Sequence, residues 1–97
     1  MKLVILSLVR DDLKAIRLYL SEYGESPPKR FREGFQAFCA QIMDMPFSFS
    51  PYEHAPSYFK GVIAYDYLVF YKVDIEKGRV MIYRVLHSKR DARPLLG

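Results

Sequence analysis

The stretch Tyr67 to Asp91, YLVFYKVDIEKGRVMIYRVLHSKRD, decides how this chain folds. Tyr67 to Asp74 and Arg79 to His87 are rich in Val, Ile, Tyr and Phe, side chains that suit a pleated, half-buried surface. Four residues ending in Gly78 separate them, so the stretch predicts an antiparallel hairpin. Along its first strand Tyr67, Val69, Tyr71 and Val73 fall on one face and Leu68, Phe70 and Lys72 on the other. Both faces are largely apolar. The second strand runs out into Ser88, Lys89, Arg90, Asp91 and Arg93, which gathers cations at one end of the sheet where a fold alone does not need them.

Upstream, Lys2 to Leu6 (KLVIL) reads as a short strand, and Ser7 is placed to cap the helix after it. Asp11 and Asp12 then suit the positive end of that helix as first-turn charges. Val9, Leu13, Ile16 and Leu20 recur at helical spacing with Tyr19 and Tyr23 beside them, and Gly24 ends the run. Ser26, Pro27 and Pro28 open a second helix, because proline in a first turn has no N–H to leave unpaired. Its apolar stripe is Phe31, Phe35, Phe38 and Ile42 with Cys39 alongside, Gly34 offers close approach to the first helix, and Pro46 closes it. Phe47 to Ser57 (FSFSPYEHAPS) has no clean period and reads as a surface loop. Tyr58 to Ala64 reads as a strand, with Tyr65 and Asp66 turning into the hairpin.

The order is strand, antiparallel helical hairpin, three-stranded antiparallel meander and basic tail: one α+β domain over residues 1–97, with the helices on one face of the sheet. Two helices cover one face only. The other apolar face is expected to lie under a second chain or under the C-terminal tail.

Length and composition narrow the function. The single cysteine, Cys39, excludes an internal disulfide and fits a reducing cytoplasm, where it reads as a small buried hydrophobe. The opening apolar run is too short to span a membrane and has no small-residue cleavage site, so neither a signal peptide nor a membrane anchor is expected. A formal charge of +4 and a pI near 9.3 favour an acidic partner. Eight Tyr and seven Phe exceed what a core of this size buries comfortably, which directs some of them to a partner surface.

No phosphate-binding glycine loop, zinc-ligand spacing or GxSxG element occurs, and no metal or cofactor is expected. The two histidines, His54 and His87, lie far apart in sequence. What remains is a basic set: Arg84, His87, Lys89, Arg90 and Arg93, with Lys60 and the neighbouring tyrosines. Arginines hold phosphates by paired bonds and histidine moves protons near neutral pH, so such a set is compatible with metal-independent RNA cleavage. It is equally compatible with a solvated or partner-binding strand end, and His87 with a structural histidine bonded to backbone.

The element order, with DDLKAIRLYL in the first helix, YLVFYKV in the hairpin's first strand and RVLHSKRD at the end of its second, resembles the RelE/ParE toxin superfamily of type II toxin-antitoxin systems. RVLH followed by a basic pair and Asp is most similar to the ParE branch. The resemblance implies a compact microbial-ribonuclease-like fold held inactive by a cognate antitoxin. In RelE-type members, messenger RNA is cut on the ribosome by basic residues of the sheet and a Tyr or His near the C-terminus. Arg90 stands where such members carry one arginine, Ile63 where they carry another, with Lys60 the nearest basic residue, and no Tyr or His follows Arg93. ParE-type members instead inhibit DNA gyrase without a recognised catalytic set.

The resemblance thus implies a gyrase-binding toxin, with antitoxin- or target-binding residues expected at Tyr67, Tyr71, Arg84, His87, Lys89, Arg90 and Arg93. Operator DNA would be touched only indirectly, through the antitoxin. The alternative is a ribosome-dependent endoribonuclease using Lys60, His87 and Arg90. A third reading is a non-toxic relative that only binds antitoxin.

Overall fold

The computed structural model describes residues 1–96; Gly97, the end of the expected tail, lies outside them. The chain runs β1 (Lys2–Ile5), α1 (Ser7–Ser21), α2 (Ser26–Asp44), β2 (Ser50–Tyr52), β3 (Ala55–Ile63), β4 (Tyr67–Asp74), β5 (Arg79–His87) and α3 (Arg93–Leu96), with a single 3-10 turn at Ala64–Asp66. The strands form one sheet in the order β1-β5-β4-β3-β2. β1 runs parallel to β5 and the other neighbours pair antiparallel. This is the expected α+β arrangement of helical hairpin and meander.

The sheet is one strand wider than the sequence suggests. Residues from Phe47 to Ser57, expected as a loop, supply β2 and the start of β3, which opens at Ala55 and not at Tyr58. Pro51 and Pro56 conceal both. Pro51 is tolerated because β2 is an edge strand, and Pro56 falls where the register breaks between the Pro51–Phe59 and Tyr52–Ala55 pairs.

The helix start also differs. Leu6 precedes α1 without any side-chain cap, and Ser7 is already helical. Leu6 N–H bonds to the Ile82 carbonyl at 3.2 Å, so the chain passes straight from strand pairing into the helix and leaves no free residue to cap it. Asp11 and Asp12 consequently lie beyond the first turn.

The core follows the predicted stripes. Val9, Ile16 and Leu20 of α1 and Phe31, Phe35, Phe38, Cys39 and Ile42 of α2 pack on Tyr67, Val69 and Tyr71 of β4 and Val80, Ile82 and Val85 of β5. Tyr19 and Tyr23 stay outside this stripe, 52% and 65% exposed. Gly34 does not face α1: a Cβ there would sit 3.6 Å from Ala64. The glycine that permits close packing is Gly61, where a Cβ would collide with the Phe38 ring and lie 3.0 Å from Phe49 Cδ1.

The second face carries its own apolar layer of Tyr52, Tyr58, Phe70 and Leu86, closed by Ala92 and Leu96. Of the two covers the sequence allowed, this chain's own C-terminal segment occupies part of it. Tyr58 donates a hydrogen bond to the Leu96 carbonyl at 2.7 Å, and Arg84 Nη1 to that of Leu95 at 3.4 Å. A β-bulge adjusts β5 to both layers. Phe70 pairs with Arg84 but Tyr71 with Ile82, leaving Tyr83 unopposed, so Ile82 and Val85 both meet the helices although three positions apart.

Candidate functional site

The candidate side chains gather about the ends of β4 and β5, and the sheet divides them between two sides. On the helical side Tyr19, Leu20 and Tyr23 of α1, Pro27 of α2, Tyr65 of the 3-10 turn, Tyr67, His87 and Lys89 line a channel of about 740 Å³. Tyr19 and Tyr23 stand one turn apart at the end of α1, their rings 5.5 Å apart edge-on and their hydroxyls 3.2 Å apart. That shared hydrogen bond holds the Tyr23 hydroxyl above its usual range. Tyr67 forms the floor, and burial raises its hydroxyl too.

Two departures from regular backbone shape the channel wall. Tyr65 and Asp66 have φ of 62° and 60°, the left-handed region that side chains other than glycine rarely enter. Each costs on the order of 1 kcal/mol. The Asp66 carbonyl accepts the Ser88 N–H at 2.8 Å, which ties this turn to the exit of β5. His87 packs edge-on against Tyr67 with ring centroids 5.1 Å apart. Its Nδ1 accepts the Lys89 N–H at 3.2 Å, so Nε2 is the ring's donor in the neutral form.

A smaller recess continues the channel. It shares Tyr19, Tyr67 and His87 and adds Asp12, Ala15, Ile16, Val85, Leu86 and Arg90. Its carboxylate is already engaged. Asp12 accepts Arg84 Nε and Nη2, each at 2.8 Å, and the Val85 N–H at 3.0 Å. β1 ends opposite Ile82, so Asp12 satisfies a backbone donor on the open stretch of the β5 edge. Its hydrogen bonds hold the Arg84 guanidinium above its ordinary range.

On the opposite side of the sheet a polar recess of about 410 Å³ is lined by residues that include Tyr52, Glu53, His54, Lys60, Ser88, Arg90, Asp91 and Arg93. Asp91 accepts Arg93 Nε and Nη2 at 3.0 Å each and its N–H at 3.1 Å, which holds the carboxyl below its usual range. Glu53 lies 3.4 Å from His54 Nε2. Lys60 stands over the Tyr52 ring at 5.5 Å from its centroid.

The expected site residues therefore separate. Tyr67, His87 and Lys89 meet in the tyrosine channel, Lys60, Arg90 and Arg93 in the polar recess, and Arg90 borders both sides. Tyr71 is wholly buried, donates to the Pro46 carbonyl at 2.8 Å and has its hydroxyl pushed up to about 12 by burial, so it is a core residue with no face for a partner. Arg84 is committed to Asp12, which is thereby a partly buried ion-pair partner in place of a helix-end charge. Lys60 pairs across to Phe70 and His87 to Tyr67, residues that face opposite ways, so Lys60 and His87 lie on opposite faces of the sheet. Tyr19, Tyr23 and Tyr65, and His54 beside Lys60, join the candidates only in the fold. The offset of Tyr19 and Tyr23 from the buried stripe was the available signal; Tyr65 offers none.

Among the described residues no three His, Cys, Asp or Glu side chains lie close enough together to hold a metal ion, and no helix is long and apolar enough to cross a membrane. No protein of curated function matches the chain. Among solved structures, one of the chromosomal ParDE toxin-antitoxin system from P. aeruginosa is similar at 14% identity and a TM-score of 0.63, covering 90% of this chain and 95% of that one. That likeness is one of fold. The family model described as ParE toxin of type II toxin-antitoxin system, parDE, matches residues 3–92. Nearly the whole sheet and both long helices fall inside this match, and the chain belongs to the ParE toxin family of type II toxin-antitoxin systems.

Proposed function

We propose that this chain arrests growth in the bacterial cytoplasm by binding DNA gyrase, and that a cognate antitoxin neutralises it. The observation that carries the choice of target is the division of Lys60 and His87 between opposite faces of the sheet. A nuclease built on Lys60, His87 and Arg90 needs its acid, base and phosphate-holding groups around one phosphodiester. Here two of the three face away from each other. A protein-binding toxin has no such requirement, because aromatic anchors supply affinity and cations steer the encounter.

The antitoxin's seat is the second face with its basic rim. The apolar layer around Phe70 and Leu86 is closed by Ala92 and Leu96, so the open part is the polar recess at its border, where Lys60, Arg90 and Arg93 suit an acidic segment that orders on binding. Any operator DNA is then reached through the antitoxin. The test is a supercoiling assay with purified gyrase and relaxed plasmid. Inhibition by the chain, relieved by equimolar antitoxin, is the expected result, and unimpaired supercoiling at a large molar excess of chain contradicts the reading.

One observation favours a second reading, a metal-independent messenger RNA endoribonuclease of RelE type. Lys60, Arg90 and Arg93 share their recess with His54, so an acid or base is available there without His87. In that case His54→Ala with Arg90→Ala abolishes RNA cleavage, whereas a gyrase binder loses affinity only by degrees.

A further inference from the structure

The tyrosine channel has no part in the antitoxin seat described above. Three exposed tyrosines, Tyr19, Tyr23 and Tyr65, surround it, above the buried Tyr67. Tyrosines offer large rigid contact area at low cost in side-chain entropy, which is why they dominate protein-binding surfaces. Tyr65 reaches the wall through a left-handed backbone that no glycine relieves. Strain retained at an exposed surface position is a mark of use at that position.

The charges state what fits. The channel's lining contains no carboxylate, and the continuing recess contains only Asp12, already neutralised by Arg84. Lys89 stands at the wall and Arg90 at the far end, neither in an ion pair among the described residues. An entering segment therefore meets apolar rings first and unpaired cations beyond. A second copy of this chain, at net charge +4, would bring like charge to that end.

Resting on the toxin reading above, we infer that the tyrosine channel receives the target protein: an acidic surface segment whose aromatic or aliphatic anchor lies between Tyr19, Tyr23 and Tyr65, with carboxylates towards Lys89 and Arg90. Target and antitoxin then occupy different sides of the sheet and meet only near Arg90.

The test compares the wild-type chain with Tyr19→Ser/Tyr23→Ser and with Lys89→Glu. The readouts are growth arrest on induction, the concentration that halves supercoiling by purified gyrase, antitoxin affinity, and mass by sedimentation. Both variants should need at least tenfold more protein to inhibit gyrase and should no longer arrest growth, with antitoxin affinity within twofold of wild type. Lys89→Glu alters one exposed side chain, so it keeps the test open if the double variant misfolds. Unchanged arrest and unchanged inhibition overturn the inference. A parallel fall in antitoxin affinity overturns it by making the antitoxin the occupant, and a wild-type dimer that the variants dissociate does so by making a second copy the occupant. If wild-type chain leaves gyrase untouched, the gyrase reading fails by itself. Growth arrest still decides the channel: loss with antitoxin binding intact supports target docking, and retention refutes it.

Discussion

Replacing Asp12 with Ala removes the partner of a guanidinium that has almost no other place to go. Asp12 and Arg84 are 11% and 12% exposed, and the carboxylate accepts two bonds from Arg84 and one from the Val85 N–H. Breaking a buried pair from one side costs about 3–5 kcal/mol, because the remaining charge stays desolvated. Since Arg84 keeps a little water contact, the expected loss is about 3 kcal/mol, out of roughly 5–15 kcal/mol for a domain of this size. That corresponds to a fall in Tm of about 12–24 °C. The assay is urea unfolding of Asp12→Ala, Arg84→Met and the double variant, with the slope checked for constancy. The double variant should recover most of the Asp12→Ala loss, because no uncompensated charge remains, and raised salt should change the wild type little. An Asp12→Ala loss below about 0.5 kcal/mol, the scale of an exposed surface pair, would refute the reasoning.

Gly61→Ala should destabilise the fold by about 1–3 kcal/mol in urea unfolding, because its methyl must displace the Phe38 ring. Gly34→Ala, with only ordinary contact to Ala64, should not share that loss. Tyr58→Phe removes the donor to the Leu96 carbonyl; hydrogen exchange should then rise in α3 first, with a global loss of about 1 kcal/mol. Burial pushes the Cys39 thiol up to about 11 from an ordinary value of 9.0, so the native state holds its proton longer than the unfolded one. The stability this gives is intact below pH 9 and is lost as pH rises towards 11, by about 2–3 kcal/mol in all. Cys39→Ala should flatten that part of the stability profile, and an identical slope in both proteins would contradict it.

The helical stripes and the β4–β5 hairpin were legible because each rests on a period that the local sequence displays. Phe31, Phe35, Phe38 and Ile42 could face only one way, and the alternation from Tyr67 to Val73 placed both faces of β4 as found. What was hidden depends on single residues or on distant ones. The β5 bulge at Tyr83 shifts the alternation by one position without any glycine to mark it. Pro51 and Pro56 read as breakers because proline at an edge strand and in a loop look alike in sequence. Arg84 looked like part of the basic exit until folding brought Asp12 to it across 72 positions. In sequence, Lys60, His87 and Arg90 are compatible with one RNA-cleaving set. Strand pairing settles that Lys60 and His87 belong to different faces.

The most direct test of the account is to induce the chain in a bacterium lacking its antitoxin and follow labelled thymidine and labelled methionine over the first minutes. The account predicts that thymidine incorporation falls first while methionine incorporation continues. An early fall in methionine incorporation, with DNA synthesis still running, would contradict it and move the function to the polar recess and messenger RNA; no effect on either would leave an antitoxin-binding relative without toxicity.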